Sequence, residues 1–234
     1  MLKYAIIVAG GKGERMGAEL PKQFLEINGK PILMHTIDKF RYTYQDIEII
    51  LALPENQIDF WEELCVLHHF PFSPNRVVKG GKTRFHSVQN ALKQVKQKSI
   101  VGVHDGVRPL VSSETITNCY STAEKLGNAI PVVDIVDSLR FVSKQEGTNK
   151  AVTRSCYKSV QTPQCFSSEL LQNAYLQDEK ETFTDDASVV EALGKEVHHF
   201  KGDRTNIKLT TPEDFIFAEA LLNRPKAIRP TRSL

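Results

Sequence analysis

Three things are missing from this 234-residue chain, and each absence removes a class of function. No apolar run can cross a bilayer: YAIIVAGG and IEIILALP fall far short of the ~20 residues that a spanning helix needs. No charge of one sign dominates. Thirty Lys and Arg stand against 28 Asp and Glu, a formal charge of +2, so no global field recruits nucleic acid or a membrane surface. The third absence is paired cysteine. Cys65, Cys119, Cys156 and Cys165 form no C-x-x-C, and no histidine sits at metal-ligand spacing. The His-His pairs at His68 and His198 fall near expected element ends, where solvated side chains are the simple reading. A reduced, cytoplasmic protein is expected. The amino terminus runs from one lysine straight into an apolar strand with no small-residue cleavage site, so no secretory leader is expected. Internal repeats and linkers are also missing. One domain over residues 1–225 is expected, followed by a basic tail at 226–234.

What is present suits a soluble enzyme-sized core. Hydrophobic residues make up 41% and charged residues 25%, and a chain of this length buries roughly 70% of its unfolded surface. YAIIVA, IEIILAL, SIVGVHD and NAIPVVD are short apolar runs of the kind buried on both faces of a parallel sheet. Between them lie helical patterns. PILMHTIDKFRYTY places Ile32, Leu33, Thr36, Ile37 and Phe40 on one stripe, and KTRFHSVQNALKQVK does the same with Phe85, Val88, Leu92 and Val95. A helix from Ser112, an N-cap type, stops at Gly127. Helices are also expected in ENQIDFWEELCVLHHF, SSELLQNAYLQDE, TDDASVVEALG and TPEDFIFAEALL, with strands in RVVKGG and EVHHFKG. The alternation predicts α/β architecture with a mostly parallel, doubly wound sheet. Residues 136–160 break the rhythm. LRFV and AVTR flank a Gly-Thr-Asn tip, which predicts a β-hairpin arm leaving the sheet.

The first apolar strand ends in AGGKGERMGAELPKQF. No Gly-Lys-Ser/Thr follows Gly17 within this loop, so it is not a P-loop. Gly11, Gly13 and Gly17 give G-x-G-x-x-x-G, one residue longer than the dinucleotide fingerprint, and the second strand offers no clear ribose acid. The remaining reading is a loop around a nucleoside triphosphate. Glycines let the main chain approach phosphate oxygens, Arg15 adds a planar fork, and Lys22, stiffened by Pro21, adds a point charge. G-G-x-G-x-R-M-G succeeded by P-K-Q-F resembles the nucleotidyltransferases that join an NTP to a sugar phosphate.

The third apolar strand ends in Asp105, at the edge where open α/β sheets bind ligands. It is a hard oxygen ligand of the type Mg²⁺ uses when bridging a triphosphate. Gly80 and Gly81 precede a helix with Ser87 one turn in, which fits base or ribose contacts. Thr184, Asp185, Asp186 and Ser188 open a helix, where acids match the dipole. Lys208 stands between Ile207 and Leu209, and strand alternation would turn it to the opposite side.

Taken together, AIIVAGGKGERMG, GGKTRFHSVQNAL, VHDGVRP, VTRSCY, QTPQCF, TDDASVVEALG and NIKLTTPEDFIFAEALL resemble the 2-C-methyl-D-erythritol 4-phosphate cytidylyltransferase family, over nearly the whole chain. The resemblance implies a homodimer, Mg²⁺, CTP and release of pyrophosphate. It implies Arg15 and Lys22 as catalytic residues. It places CTP on Ala9, Gly10, Gly11, Gly13, Arg15, Met16, Lys22, Gly80, Gly81, Ser87 and Asp105, with Asp105 also on the metal. It places a polyol phosphate acceptor on Arg108, Ser138, Arg154, Thr184 and Lys208, with Arg154 serving the other subunit through the arm. The chain departs from the family pattern at Gly106, after the metal aspartate, and in IPVVDIVDSLR, where Asp134 and Asp137 both remain open as equivalents of one family aspartate. A D-ribitol-5-phosphate cytidylyltransferase and a catalytically inactive nucleotide-binding protein are the competing readings.

Overall fold

Successive side chains of a strand point to opposite faces, and in β1 (Leu2–Val8) both of those faces are covered. Tyr4 and Ile6 enter one apolar cluster, Ala5 and Ile7 another, and all four are buried. The computed structural model describes residues 1–10, 20–72, 76–143 and 147–223.

After β1 come a hairpin of β2 (Glu26–Ile27) and β3 (Lys30–Pro31), then α1 (Ile32–Thr43) and β4 (Glu48–Leu53). Next are α2 (Ile58–Leu67), β5 (Val77–Lys79), α3 (Arg84–Leu92) and β6 (Ser99–Asp105). α4 (Ser113–Leu126) begins at Ser112, whose hydroxyl accepts from the Thr115 amide. It stops at Gly127, which adopts φ 88°, a left-handed conformation that a side chain disfavours. Then come β7 (Asn128–Asp134), β8 (Arg140–Val142), β9 (Asn149–Ala151), β10 (Lys158–Val160) and β11 (Gln164–Ser167). The chain closes with α5 (Ser168–Ala174), α6 (Asp186–Glu191), β12 (His199–Lys201) and α7 (Pro212–Leu222).

The main sheet runs β10-β7-β11-β6-β1-β4-β5, with β12 also on β7. β5, β4, β1 and β6 are parallel neighbours. α1, α2 and α4 cover one face through Ile37, Phe40, Trp61 and Tyr120. α3, α5 and α6 cover the other through Phe85, Val88, Leu171 and Val189. Each such side chain, fully buried, contributes about 1.5–3 kcal/mol. The architecture is α/β with a mostly parallel, doubly wound sheet.

Two expectations need correction, and one strand was not expected. The QTPQCF segment, to which no element was assigned, supplies β11, an antiparallel strand inserted between β6 and β7. Residues 158–160, placed in the arm, return to the main sheet, where Val160 pairs with Val132 and Lys158 forms an ion pair with Asp134. Within 136–160 only β8–β9 forms a two-stranded sheet of its own among the described residues. Lys208 lies on no strand: the segment around it is held by the Leu209 amide donating to the Val107 carbonyl at 2.9 Å. The basic tail at 226–234 lies outside the described residues. Among those residues no helix is long and apolar enough to cross a membrane.

Candidate active site

Four parallel strands end along one edge. Val8 of β1 is in register with Ala52 of β4 and Asp105 of β6, and Leu53 of β4 with Lys79 of β5. The loops that leave these ends are tied to neighbouring strands. The Ala9 amide donates to Ala52 at 3.0 Å, that of Gly80 to Leu53 at 2.7 Å, and that of Gly106 to Val8 at 2.8 Å. Between them is a cleft of about 360 Å³. Its walls include Ala9, Gly10, Lys22, Gly80, Gly81, Ser87, Asp105 and Lys208, all singled out from sequence. Lys82, Thr83 and Arg84, which sequence reasoning passed over, line it too. The available signal was two cations wedged between a glycine pair and a helix start. Gly11, Gly13, Arg15 and Met16 lie outside the described residues.

Lys22 reaches the cleft from a single 3₁₀ turn, Lys22–Phe24, set by the two residues after it. Gln23 is fully buried; its amide group donates to the Ala9 carbonyl at 2.9 Å and to Gln57 Oε1 at 2.7 Å. Phe24 packs edge-on against Phe60, with centroids 5.2 Å apart, and stacks on Trp61 at 6.4 Å.

The glycine pair is built for close approach. A Cβ on Gly81 would come within 2.2 Å of His86 Cβ, so no side chain fits without movement. The Gly81 amide donates to Ser87 Oγ at 3.0 Å, and Ser87 Oγ donates to the Thr83 carbonyl at 2.9 Å. Ser87 therefore braces this loop from within.

Asp105 is the charged centre. It is 7% exposed. Its Oδ2 accepts from Arg108 Nε and Lys208 Nζ, each at 3.1 Å, while Arg84 Nε stands 3.8 Å from Oδ1. Burial alone would raise its pKa; Arg84, Lys208 and Arg108 overrule it and hold the carboxyl well below the usual range. Arg108 is only 11% exposed along its side chain and also donates to the Asn206 carbonyl at 2.8 Å, so it stands behind Asp105. His104, fully buried beside it, is pushed down to about 3 by burial and stays neutral.

Lys22, Lys82 and Lys208 line this cleft with one carboxylate, and Arg84 borders it with its guanidinium on Asp186. That balance suits a polyanion. Among the described residues no cluster of three or more His, Cys, Asp or Glu could hold a metal. A lone carboxylate with one uncommitted oxygen nevertheless fits Mg²⁺, which keeps several waters and shares phosphate oxygens rather than filling a protein cage.

Asp186 stands in the first turn of α6, as its sequence reading has it, and does more than match the helix dipole. It is fully buried, and Arg84 grips it through two nitrogens, Nη1 to Oδ1 at 3.0 Å and Nη2 to Oδ2 at 2.6 Å. The helix cap is Asp185, whose Oδ1 accepts from the Ser188 amide at 2.9 Å.

The other acceptor residues do not line the cleft. Thr184 is exposed just ahead of α6, and Ser138 is exposed between β7 and β8. Arg154 donates to the Val136 carbonyl and borders a separate hollow with Asp134, Tyr157 and Arg204. A wider hollow of about 750 Å³ near β7, β10 and β12 holds Lys158, Lys201 and Arg204, with no glycine loop.

Comparison with known proteins agrees with this geometry. The family model for 2-C-methyl-D-erythritol 4-phosphate cytidylyltransferase (IspD) matches residues 3–224. Relatives of that name from Bacteroides thetaiotaomicron and Phocaeicola vulgatus are 53% and 50% identical, each match covering 95% of this chain and 100% of the relative. The solved 4-diphosphocytidyl-2C-methyl-D-erythritol synthase of Anaerococcus prevotii superposes with a TM-score of 0.78 at 29% identity, over 95% of this chain and 96% of that one. The 2-C-methyl-D-erythritol 4-phosphate cytidylyltransferase of Thermus thermophilus gives 0.72 at 31%, over 94% and 98%.

Proposed function

The chain belongs to the 2-C-methyl-D-erythritol 4-phosphate cytidylyltransferase family, and on that premise we propose that it transfers CMP from CTP to 2-C-methyl-D-erythritol 4-phosphate. The products are 4-diphosphocytidyl-2-C-methyl-D-erythritol and pyrophosphate. The observation that carries this reading is the meeting of Lys22, Asp105 and Lys208 with the Gly80–Gly81 loop in one cleft at the ends of β1, β4, β5 and β6.

The chemistry asks little of a general base. A phosphate monoester, with its second pKa near 6, is largely a dianion at neutral pH and already nucleophilic. One of its oxygens bonds to the α-phosphorus of CTP while the bond to the pyrophosphate oxygen breaks. The protein must hold two polyanions in line and neutralise the charge that builds between them. Lys22 and Lys82 supply point charges on the nucleotide side. Lys208, paired with Asp105, supplies one beside the acceptor. Arg15 completes the cationic set in this reading. Mg²⁺ bound through Asp105 Oδ1 would withdraw charge from the triphosphate.

Acceptor recognition is shared between two copies of the chain in this reading. Val142 is 63% exposed, Val136 56%, Phe141 54% and Tyr157 49%, an apolar set around the hairpin that a second copy would cover. Arg154, off its own cleft, then reaches the partner's acceptor phosphate, while Arg108, Ser138 and Thr184 complete that subsite. Four free cysteines fit a reducing compartment, so the cytoplasm is the proposed location.

Pyrophosphate release from CTP tests the assignment. Turnover is expected with methylerythritol phosphate and a divalent cation. Turnover with D-ribitol 5-phosphate in its place, or with neither acceptor, would overturn it.

A further inference from the structure

Asp186 carries a charge where solvent does not reach. Such a carboxylate persists only when paired and hydrogen-bonded. Its partners are both terminal nitrogens of Arg84 and the Tyr175 hydroxyl, which donates to Oδ1 at 2.6 Å. Arg84 is thereby turned away from the cleft that it borders. Only its Nε is left towards Asp105, and at 3.8 Å from Oδ1 it does not form a hydrogen bond. The other Asp105 oxygen is occupied by Arg108 and Lys208. One oxygen of Asp105 is committed and one is open, and the open one is open because a second, buried carboxylate outcompetes Asp105 for the guanidinium.

We propose that Asp186 is a positioning residue for the transfer: by fixing Arg84 it keeps Asp105 Oδ1 available to the divalent cation that arrives with the triphosphate. The inference rests on the proposed role of Asp105 as the metal ligand. Without the charge on Asp186, the nearest remaining carboxylate for Arg84 is Asp105. A guanidinium closing on Oδ1 would have to be displaced before a cation could bind. Partners one step removed from a metal ligand typically change metal affinity by about 10–100-fold.

Asp186→Asn keeps the side-chain volume and removes the charge. At saturating CTP, Mn²⁺ binding monitored by the loss of the free-ion electron paramagnetic resonance signal should weaken about 10–100-fold. The Mn²⁺ concentration for half-maximal pyrophosphate release should rise in step, with kcat at saturating Mn²⁺ less affected. The double variant Arg84→Met/Asp186→Asn should then recover wild-type Mn²⁺ affinity, because no guanidinium remains to close on Oδ1. A merely structural role would not be rescued by a second lesion. Unchanged affinity in the single variant overturns the proposal, and so does a double variant that binds as weakly as the single. If Asp186→Asn alone does not fold, the double variant, which removes both buried charges together, carries the test: it must bind Mn²⁺ as the wild type does. Asp105→Asn separates the two readings. If it binds Mn²⁺ as tightly as the wild type, the metal role of Asp105 fails, whatever Asp186 does.

Discussion

Asp105 and Phe141 stand at two extremes of this molecule. Asp105 is 7% exposed; its Oδ2 pairs with cations from the turn after β6 and the segment before α7, and Arg84 of α3 stands 3.8 Å from Oδ1. Phe141 is 54% exposed on a two-stranded sheet whose residues are all exposed, and over its ring stands the Lys150 ammonium, 5.8 Å away on the facing strand. The cleft is organised by its own chain, because its central carboxylate is held by one cation from the adjoining turn and one from a distant segment. The hairpin is organised only along its ladder, and an isolated two-stranded sheet is marginal in water. One region is finished by folding; in the proposed reading the other is completed by association.

Substitutions that separate these regions test the contrast. The largest effect is expected in the cleft. Lys22→Ala should lower kcat by about 10²–10³-fold, the usual cost of one preorganised charge contact, with the melting temperature and oligomeric state unchanged. Near-normal turnover would remove Lys22 from the mechanism. Next comes Arg154→Ala, where losing a charged hydrogen bond worth about 1.5–3 kcal/mol should raise KM for the acceptor roughly 10–100-fold and leave that for CTP almost untouched. Mixed and allowed to exchange subunits, Arg154→Ala and Lys22→Ala proteins should regain activity. Mixtures that stay inactive would mean that the hairpin region does not serve a neighbour's site.

Phe141→Asp should weaken self-association by about tenfold or more, the cost of losing one buried aromatic contact, measured by sedimentation. A dimer of unchanged affinity would show the hairpin to be mere surface. The smallest effect is a pH slope. His104 titrates near 3 in the fold against an ordinary 6.5, so the unfolded chain takes up a proton that the folded one refuses. Stability of the metal-free protein is complete above pH 6.5 and falls by up to about 1.4 kcal/mol per unit on acidification towards 3. Asp105, held low by its cations, adds a further loss below about pH 4. Urea unfolding with equal midpoints at pH 7 and pH 5 would contradict the first part.

The legible parts of the fold were those with local signals. β1, β4, β6 and β7 announce themselves as continuous apolar runs, and α4 by a hydroxyl cap and a glycine stop. β11 does not, because its place depends on pairing with Val103 and Ala129, and nothing within Gln164–Ser167 encodes that distance or the reversed direction. Lys208 illustrates a right destination by a wrong route. Strand alternation was expected to turn it away from its neighbours, yet Lys208 reaches Asp105 from a non-strand segment held by Asn206 donating to Thr162 and Leu209 donating to Val107. The Arg84–Asp186 pair spans 102 residues, so neither member carries a local mark of the other.

The chain has a single tryptophan, and it lies beneath the turn that carries Lys22. Trp61 is 1% exposed, stacked on Phe24 and edged by Phe70 and Phe72 at 5.9 and 5.7 Å. All tryptophan emission from this protein therefore originates in one apolar environment directly beneath the turn that carries Lys22. Nucleotide binding that shifts the Lys22–Phe24 turn would register as a change in ultraviolet emission without any attached dye, and stopped-flow mixing would time that shift against the release of pyrophosphate.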